Sequence, residues 1–162
     1  MQNLKNLISG AEPAPEEKEE NPKYKIDKKS AELEFEKFCS DWDIDTDIDD
    51  LDSEDKENFK NLKKRILRKI MSGNLVYIEA DETFSYTLIK PIDKAPDSKT
   101  IIIYRTKGQA NMVMDNYKDR ETIHKVYAKL AAMVKMPPAF IAKMDEVDLK
   151  ILQGIQTLFF FS

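Results

Sequence analysis

Cysteine is almost missing from this chain: Cys39 is the only one in 162 residues. No internal disulfide framework can form, and no CxxC pair is available for a metal or redox centre. Cys39 reads as a small buried apolar residue. Glycine is nearly as scarce, and Gly10, Gly73, Gly108 and Gly154 stand isolated, so no glycine-rich loop can cradle a phosphate. The one histidine, His124, follows the apolar Ile123 with no Cys or Ser nucleophile close by in sequence, which favours a surface or boundary position over a general base. No apolar run approaches the ~20 residues that span a bilayer. The opening Met1-Gln2-Asn3-Leu4-Lys5 is too polar for a secretory signal. These absences lead us to expect a soluble cytoplasmic protein, not an enzyme, with no cofactor and no membrane partner.

What is present is charge, at 35% of residues against 41% hydrophobic, in a chain long enough for one domain with a real core. The formal net charge of −4 hides a polarity. Residues 1–55 carry 18 acids and 7 bases, a net of −11, whereas residues 56–162 carry 12 acids and 19 bases, a net of +7. Such asymmetry speaks to partners rather than to fold.

Three segments follow from the pattern. Residues 1–27 are expected to be a disordered arm, because 9–25 hold Pro13, Pro15 and Pro22 and almost no bulky apolar side chain that could repay the entropy of ordering. Leu4, Leu7 and Ile8 have helical spacing and suit a short docking motif or, as termini more commonly behave, a fraying end. Residues 28–73 form a helical region with an acidic linker. Ala31, Leu33, Phe35, Phe38 and Cys39 suggest a first helix to about Ser40. Asp52 or Ser53 caps a stronger one to about Ser72, with Phe59, Leu62, Ile66 and Ile70 inward and a lysine- and arginine-rich opposite face. Gly73 stands where a C′ glycine belongs.

In residues 74–162 the period changes to two. Leu75–Ile78 and Phe84–Ile89 flank Asp81-Glu82 as a hairpin, and Thr100–Tyr104 is a third strand after a loop with Pro91 and Pro96. Glu121 then opens a helix with Ile123, Val126, Tyr127, Leu130, Ala131 and Val134 on one face, which must stop before Pro137-Pro138. Pro138 starts a short helix, and Asp145 caps a last one with Val147, Ile151, Leu152, Ile155, Leu158 and Phe159 inward. The fold class is α+β: a small antiparallel sheet, hairpin plus third strand, with a C-terminal cluster of helices, preceded by the helical region and the arm.

Two constellations carry a chemical suggestion. Asp43, Asp45, Asp47 and Glu54 have the spacing of calcium ligands at loop positions 1, 3, 5 and 12, but position 6 is Ile48 where the sharp turn needs glycine. A solvated acidic linker is the stronger reading, with a peptide or basic-surface mimic as a third. Lys60, Lys64, Arg65 and Arg68 form a basic surface that could contact phosphates, although without a nucleic-acid motif or a high pI the balance favours a solvated face. Met112, Met114, Met133, Met136 and Met144 give an adaptable surface if they face outward and otherwise fill the core, the commoner outcome.

Residues 123–152 carry a more specific pattern. A helix reaches the small pair Ala131-Ala132 before Pro137-Pro138, followed by Phe140-Ile141, Met144-Asp145, Asp148 and an apolar helix from Leu152. Upstream, Leu88-Ile89-Lys90-Pro91 closes a strand pair. This arrangement resembles the end of phage tail assembly chaperones of the Mu-like type, over about the last 90 residues. Residues 1–72 are an addition that small members lack, and the lysines of the last helices depart from the family's more acidic or neutral surface. The resemblance implies a non-enzymatic assembly factor in the bacterial cytoplasm that binds the tape measure protein and helps recruit tail tube subunits, with self-association left open. Apart from that resemblance, the adaptable Met side chains and the terminal Phe run, which one helix face cannot fully bury, make Met133, Met136, Pro137, Phe140, Phe160 and Phe161 the candidate client-binding residues. Three consecutive Phe codons at 159–161 would also suit the ribosomal frameshift common in that family.

Overall fold

The computed structural model describes residues 23–93, 99–118 and 121–159. Most of the arm, with Leu4, Leu7 and Ile8, lies outside them, as do Phe160 and Phe161.

Helix α1 spans Lys28–Asp41 and α2 spans Ser53–Met71. Each starts on an aspartate whose carboxylate satisfies an otherwise orphaned amide, Asp27 accepting from Ser30 N at 3.0 Å and Asp52 from Asp55 N at 2.8 Å. The amide and hydroxyl of Ser30 hold the Asp27 carboxyl below its ordinary pKa. On α1 the inward stripe is Ala31, Phe35, Phe38 and Cys39, while Leu33 faces the other way at 60% exposed. Gly73, at φ +72°, turns the chain out of α2 as the C′ residue. Its neighbour in space is the root of the arm: Lys25 N and Ile26 N both donate to Met71 O, at 2.8 and 3.2 Å. The last five residues of the expected arm therefore belong to the described fold.

Strands β1 (Leu75–Ile78), β2 (Thr83–Thr87) and β3 (Thr100–Tyr104) make one antiparallel sheet in that order. Register pairs Leu75 with Tyr86, Tyr77 with Phe84, Phe84 with Ile103 and Tyr86 with Ile101, so the period of two places all six on one covered face. The hairpin is looser than a two-residue turn: a 3-10 turn at Glu79–Asp81 is followed by Glu82 at φ +50°. That bend aims Glu82 O at Trp42, whose Nε1 donates to it at 3.0 Å. Lys37 reaches Glu79 at 3.0 Å, a second tie from α1 to the hairpin. The β1 edge is blunted from the same helix, since Glu34 Oε1 accepts from Tyr77 N at 2.7 Å.

Beyond the sheet come α3 (Gln109–Met112), α4 (Thr122–Val134), α5 (Pro138–Ala142) and α6 (Glu146–Leu158). Lys135 at φ +55° ends α4, Pro138 occupies the first turn of α5, and Asp145 caps α6 by accepting from Val147 N at 2.9 Å. Helix α6 packs on α2 and α4, and α4 packs on β3. A single cluster of buried side chains runs through α1, α2, the sheet and α4 to α6. Sequence position 73/74 is thus no break in the core. Within the cluster, Phe38 sits between Phe35, Trp42 and Phe84 in edge-to-face contacts, at 4.7 Å from the Phe84 ring centre, and Phe159 stacks on Trp42 at 5.4 Å.

Two residues expected to face inward do not. Ile123 is 60% exposed and Val147 is 47% exposed, both in the first turn of their helices. Periodicity decides which residues share a stripe, and the neighbouring element decides how far along the stripe the cover extends.

Candidate functional site

The first turns of α4 and α6 leave a groove between them. Thr122, Ile123, Val126 and Tyr127 form one wall at helical i, i+1, i+4, i+5 spacing, Glu146, Leu149, Lys150 and Gln153 form the other, and the cavity is about 510 Å³. Its floor is apolar. Its rim is polar, with Lys150 Nζ paired to Glu146 at 2.8 Å. Both walls are firmly based. Lys118 N donates to Glu121 Oε2 at 2.8 Å ahead of α4, and α6 is fixed by Asp145 and by Asp148.

Asp148 is the residue that the sequence reading gave no chemistry. It is fully buried and accepts from Tyr86 Oη at 2.6 Å and from Ile89 N at 3.0 Å, tying α6 to the end of β2. Burial first, and then this hydrogen bond to Asp148, pushes the Tyr86 hydroxyl well above an ordinary phenol. The signal was available: Asp148 stands at i−3 and i−4 from Ile151 and Leu152, a carboxylate on an apolar stripe.

The proposed client residues are not gathered on one surface. Met133 is buried at 1% exposed and fills the core, so it cannot meet a client in this conformation, and Met144 is buried too. Met136, at 39% exposed, and Pro137 are open, and Phe140 is half-buried against the core. They lie beyond the C-terminal end of α4, where Lys135 Nζ sits 3.5 Å from the Tyr104 ring centre. About 16 Å of helix axis separates that end from Ile123, and about 10 Å from the nearest α4 residue of the groove, Tyr127. Met112 is exposed at 67%, and Met114 is half-buried.

The acidic stretch uses its carboxylates locally. Asp45 Oδ1 accepts from Asp47 N at 2.8 Å and Asp47 Oδ1 from Asp49 N at 3.1 Å, while Glu54 lies in the first turn of α2. Among the described residues no three metal-ligating groups converge, so Asp43, Asp45, Asp47 and Glu54 are not brought together. Ile48 packs against the core where a calcium loop would need its turn glycine.

The basic residues are brought together. Lys60, Lys64, Arg65 and Arg68 are all exposed on α2, and Lys64 and Arg68 form a ridge between two grooves. One, about 770 Å³, also holds Asn58, Asn61, Arg65 and Thr157. The other, about 430 Å³, has Lys60 and Lys63 on its wall and Tyr24, Leu67 and Met71 within it. Among the described residues none of Lys60, Lys64, Arg65 or Arg68 makes an ion pair.

Cys39 is buried at 1% exposed, which pushes its thiol up to about 12. His124 is exposed and stacks on Tyr117 with ring centres 6.0 Å apart. No described helix is long and apolar enough to cross a membrane. Compared with known proteins, the chain matches no family model, no curated protein and no solved structure.

Proposed function

We propose that this chain is a non-enzymatic phage or prophage tail assembly chaperone that binds the tape measure protein in the bacterial cytoplasm. One observation carries the reading: the α4/α6 groove lies within the stretch whose residue pattern resembles that family, and its apolar floor and polar rim suit the apolar face of a client helix. The aspartates of that pattern also acquire roles, Asp145 capping α6 and Asp148 fastening it to the sheet. A groove fixed in this way suits the holding of a helix. Tail tube subunits and a second copy of the chain are further partners on the same reading.

Co-expression with a phage tape measure protein should give a soluble complex. Ile123→Asp should weaken it by roughly tenfold to a hundredfold, the cost of leaving one isoleucine unburied at the contact. Because Ile123 is 60% exposed in the free chain, the variant should keep its circular dichroism spectrum. Failure of the unaltered chain to form any complex would sink the proposal.

A second reading, a nucleic-acid-binding regulator, is favoured by the cations of the α2 face that lack ion pairs among the described residues. Its signature is a gel shift that weakens steeply with salt and disappears in Lys64→Glu, Arg68→Glu.

A further inference from the structure

Helix α2 changes character at Lys60. From there to Met71 it carries six bases and no acid, and its own acids, Glu54, Asp55 and Glu57, all come earlier. Two of the six bases are engaged, Lys63 Nζ over the Phe35 ring and Lys69 Nζ over the Tyr86 ring, at 5.3 and 5.8 Å from the ring centres. Lys60, Lys64, Arg65 and Arg68 stay exposed and make no ion pair among the described residues.

This arrangement costs the helix stability. Lys60 with Lys64, and Lys64 with Arg68, are like charges at i, i+4 and repel. Elsewhere the chain uses the same spacing for opposite charges, Lys28 with Glu32 at 3.7 Å and Lys150 with Glu146 at 2.8 Å. Beside the cationic row lies a short apolar strip, since the cavity of about 430 Å³ that Lys60, Lys64 and Arg68 border also contains Leu67, Met71 and Tyr24. Leu67 is already covered, and the open apolar surface comes from Met71 and Tyr24, both half-buried. The site therefore attracts mainly by charge, and the strip decides on which side of the row a ligand lies.

We infer that the Lys60–Arg68 row is a docking surface for an acidic amphipathic helix of a partner protein, with carboxylates at i, i+4 and i+8 beside an apolar strip. Charge and length carry the inference together. Lys60, Lys64 and Arg68 cover about 12 Å of helix axis, and carboxylates at the same spacing on a second helix cover the same distance. The row also ends abruptly. Lys56, which would extend it by one turn, is turned back to donate to Asp49 O at 2.7 Å, and Glu54, Asp55 and Glu57 surround that end of the helix. A nucleic-acid strand, charged at every phosphate, would run from the cations into these carboxylates, whereas a stripe of three acids stops before them.

Titration of a capped synthetic helix into the isotope-labelled full-length protein tests the inference. The probe is about 18 residues long, enough to hold helical structure, with glutamates at i, i+4 and i+8 and leucines at i+3 and i+7. At low salt we expect saturable shifts of the amides of Tyr24, Lys60, Lys64 and Arg68. A probe of the same composition with its glutamates scattered round the helix should bind about tenfold more weakly. Lys64→Glu, Arg68→Glu should weaken the first probe by about tenfold or more, and a probe with lysines in place of the glutamates should then prefer the variant to the unaltered chain. Ile123→Asp should leave the titration unchanged, which separates this surface from the α4/α6 groove. No shift at low salt, shifts centred on another face, or equal binding of the ordered and scattered probes would overturn the inference. So would tighter binding of a single-stranded oligonucleotide than of the acidic helix, which would assign the row to phosphates.

Discussion

A single buried carboxylate organises the junction between the sheet and the last helix. Asp148 has no solvent exposure, and its two oxygens are used by Tyr86 Oη at 2.6 Å and Ile89 N at 3.0 Å. Removing it strands a buried hydroxyl and a part-buried amide, and a hydrogen bond to a charged acceptor is worth about 1.5 to 3 kcal/mol. Asp148→Ala should therefore lower unfolding free energy by about 3 kcal/mol in urea titration, with Tyr86→Phe costing less because Ile89 N remains on the carboxylate. A neutral effect of the alanine variant would remove Asp148 from its assigned role. Cys39 shows the opposite kind of burial: no cysteine partner, no hydrogen-bond demand and a thiol too weakly acidic to react, so its contribution is volume.

At the scale of elements, α2 and α6 meet at a glycine. A Cβ on Gly154 would stand 3.2 Å from Leu62 Cδ1, closer than ordinary van der Waals contact, so the missing side chain lets the two helices approach. Glycine inside a helix costs about 1 kcal/mol relative to alanine, a penalty that close packing offsets here. Gly154→Val should lower stability by about 1 to 3 kcal/mol through overpacking. Adding Leu62→Ala should recover part of that loss, because the two substitutions share one contact. Strictly additive losses in the double mutant would show that the helices do not meet as described. The hairpin is held similarly from outside itself, by Trp42 on Glu82 O and Glu34 on Tyr77 N, so α1 sets the shape of a turn it does not adjoin in sequence.

For the molecule as a whole, the two buried phenols govern the response to alkali. Desolvation first, and hydrogen bonding to Asp41 and Asp148 second, raise Tyr77 and Tyr86 above the ordinary tyrosine value. The folded chain keeps these protons where the unfolded chain releases them. Their contribution is complete below about pH 10 and is lost as pH rises through 10 toward the raised folded values, at up to about 1.4 kcal/mol per unit for each group. Urea unfolding at a series of pH values should show a plateau through neutrality and a decline above 10. Tyr86→Phe should make that decline shallower. An alkaline limb of unchanged slope in Tyr77→Phe, Tyr86→Phe would assign the decline to other groups.

Most element boundaries were legible in the sequence because they are set by neighbours along the chain, although the second strand, expected over Phe84–Ile89, is Thr83–Thr87. Asp52 before an apolar-periodic run, Gly73 after it, alternation in Leu75–Ile78 and Thr100–Tyr104, and Pro138 and Asp145 opening the last two helices all act within one or two turns. The basic face of α2 was legible for the same reason, since one helix carries all of it. What the sequence left open or misplaced depended on distant elements: Met133 is covered while Met136 is not, Ile123 lines a groove and Val147 is exposed where both were expected inward, and Asp148 finds a tyrosine 62 positions away. Local preferences fix dihedral angles and stripes, but burial is a property of whatever packs on the stripe. The core and the groove were therefore decided only when α1, the sheet and α6 closed around one another.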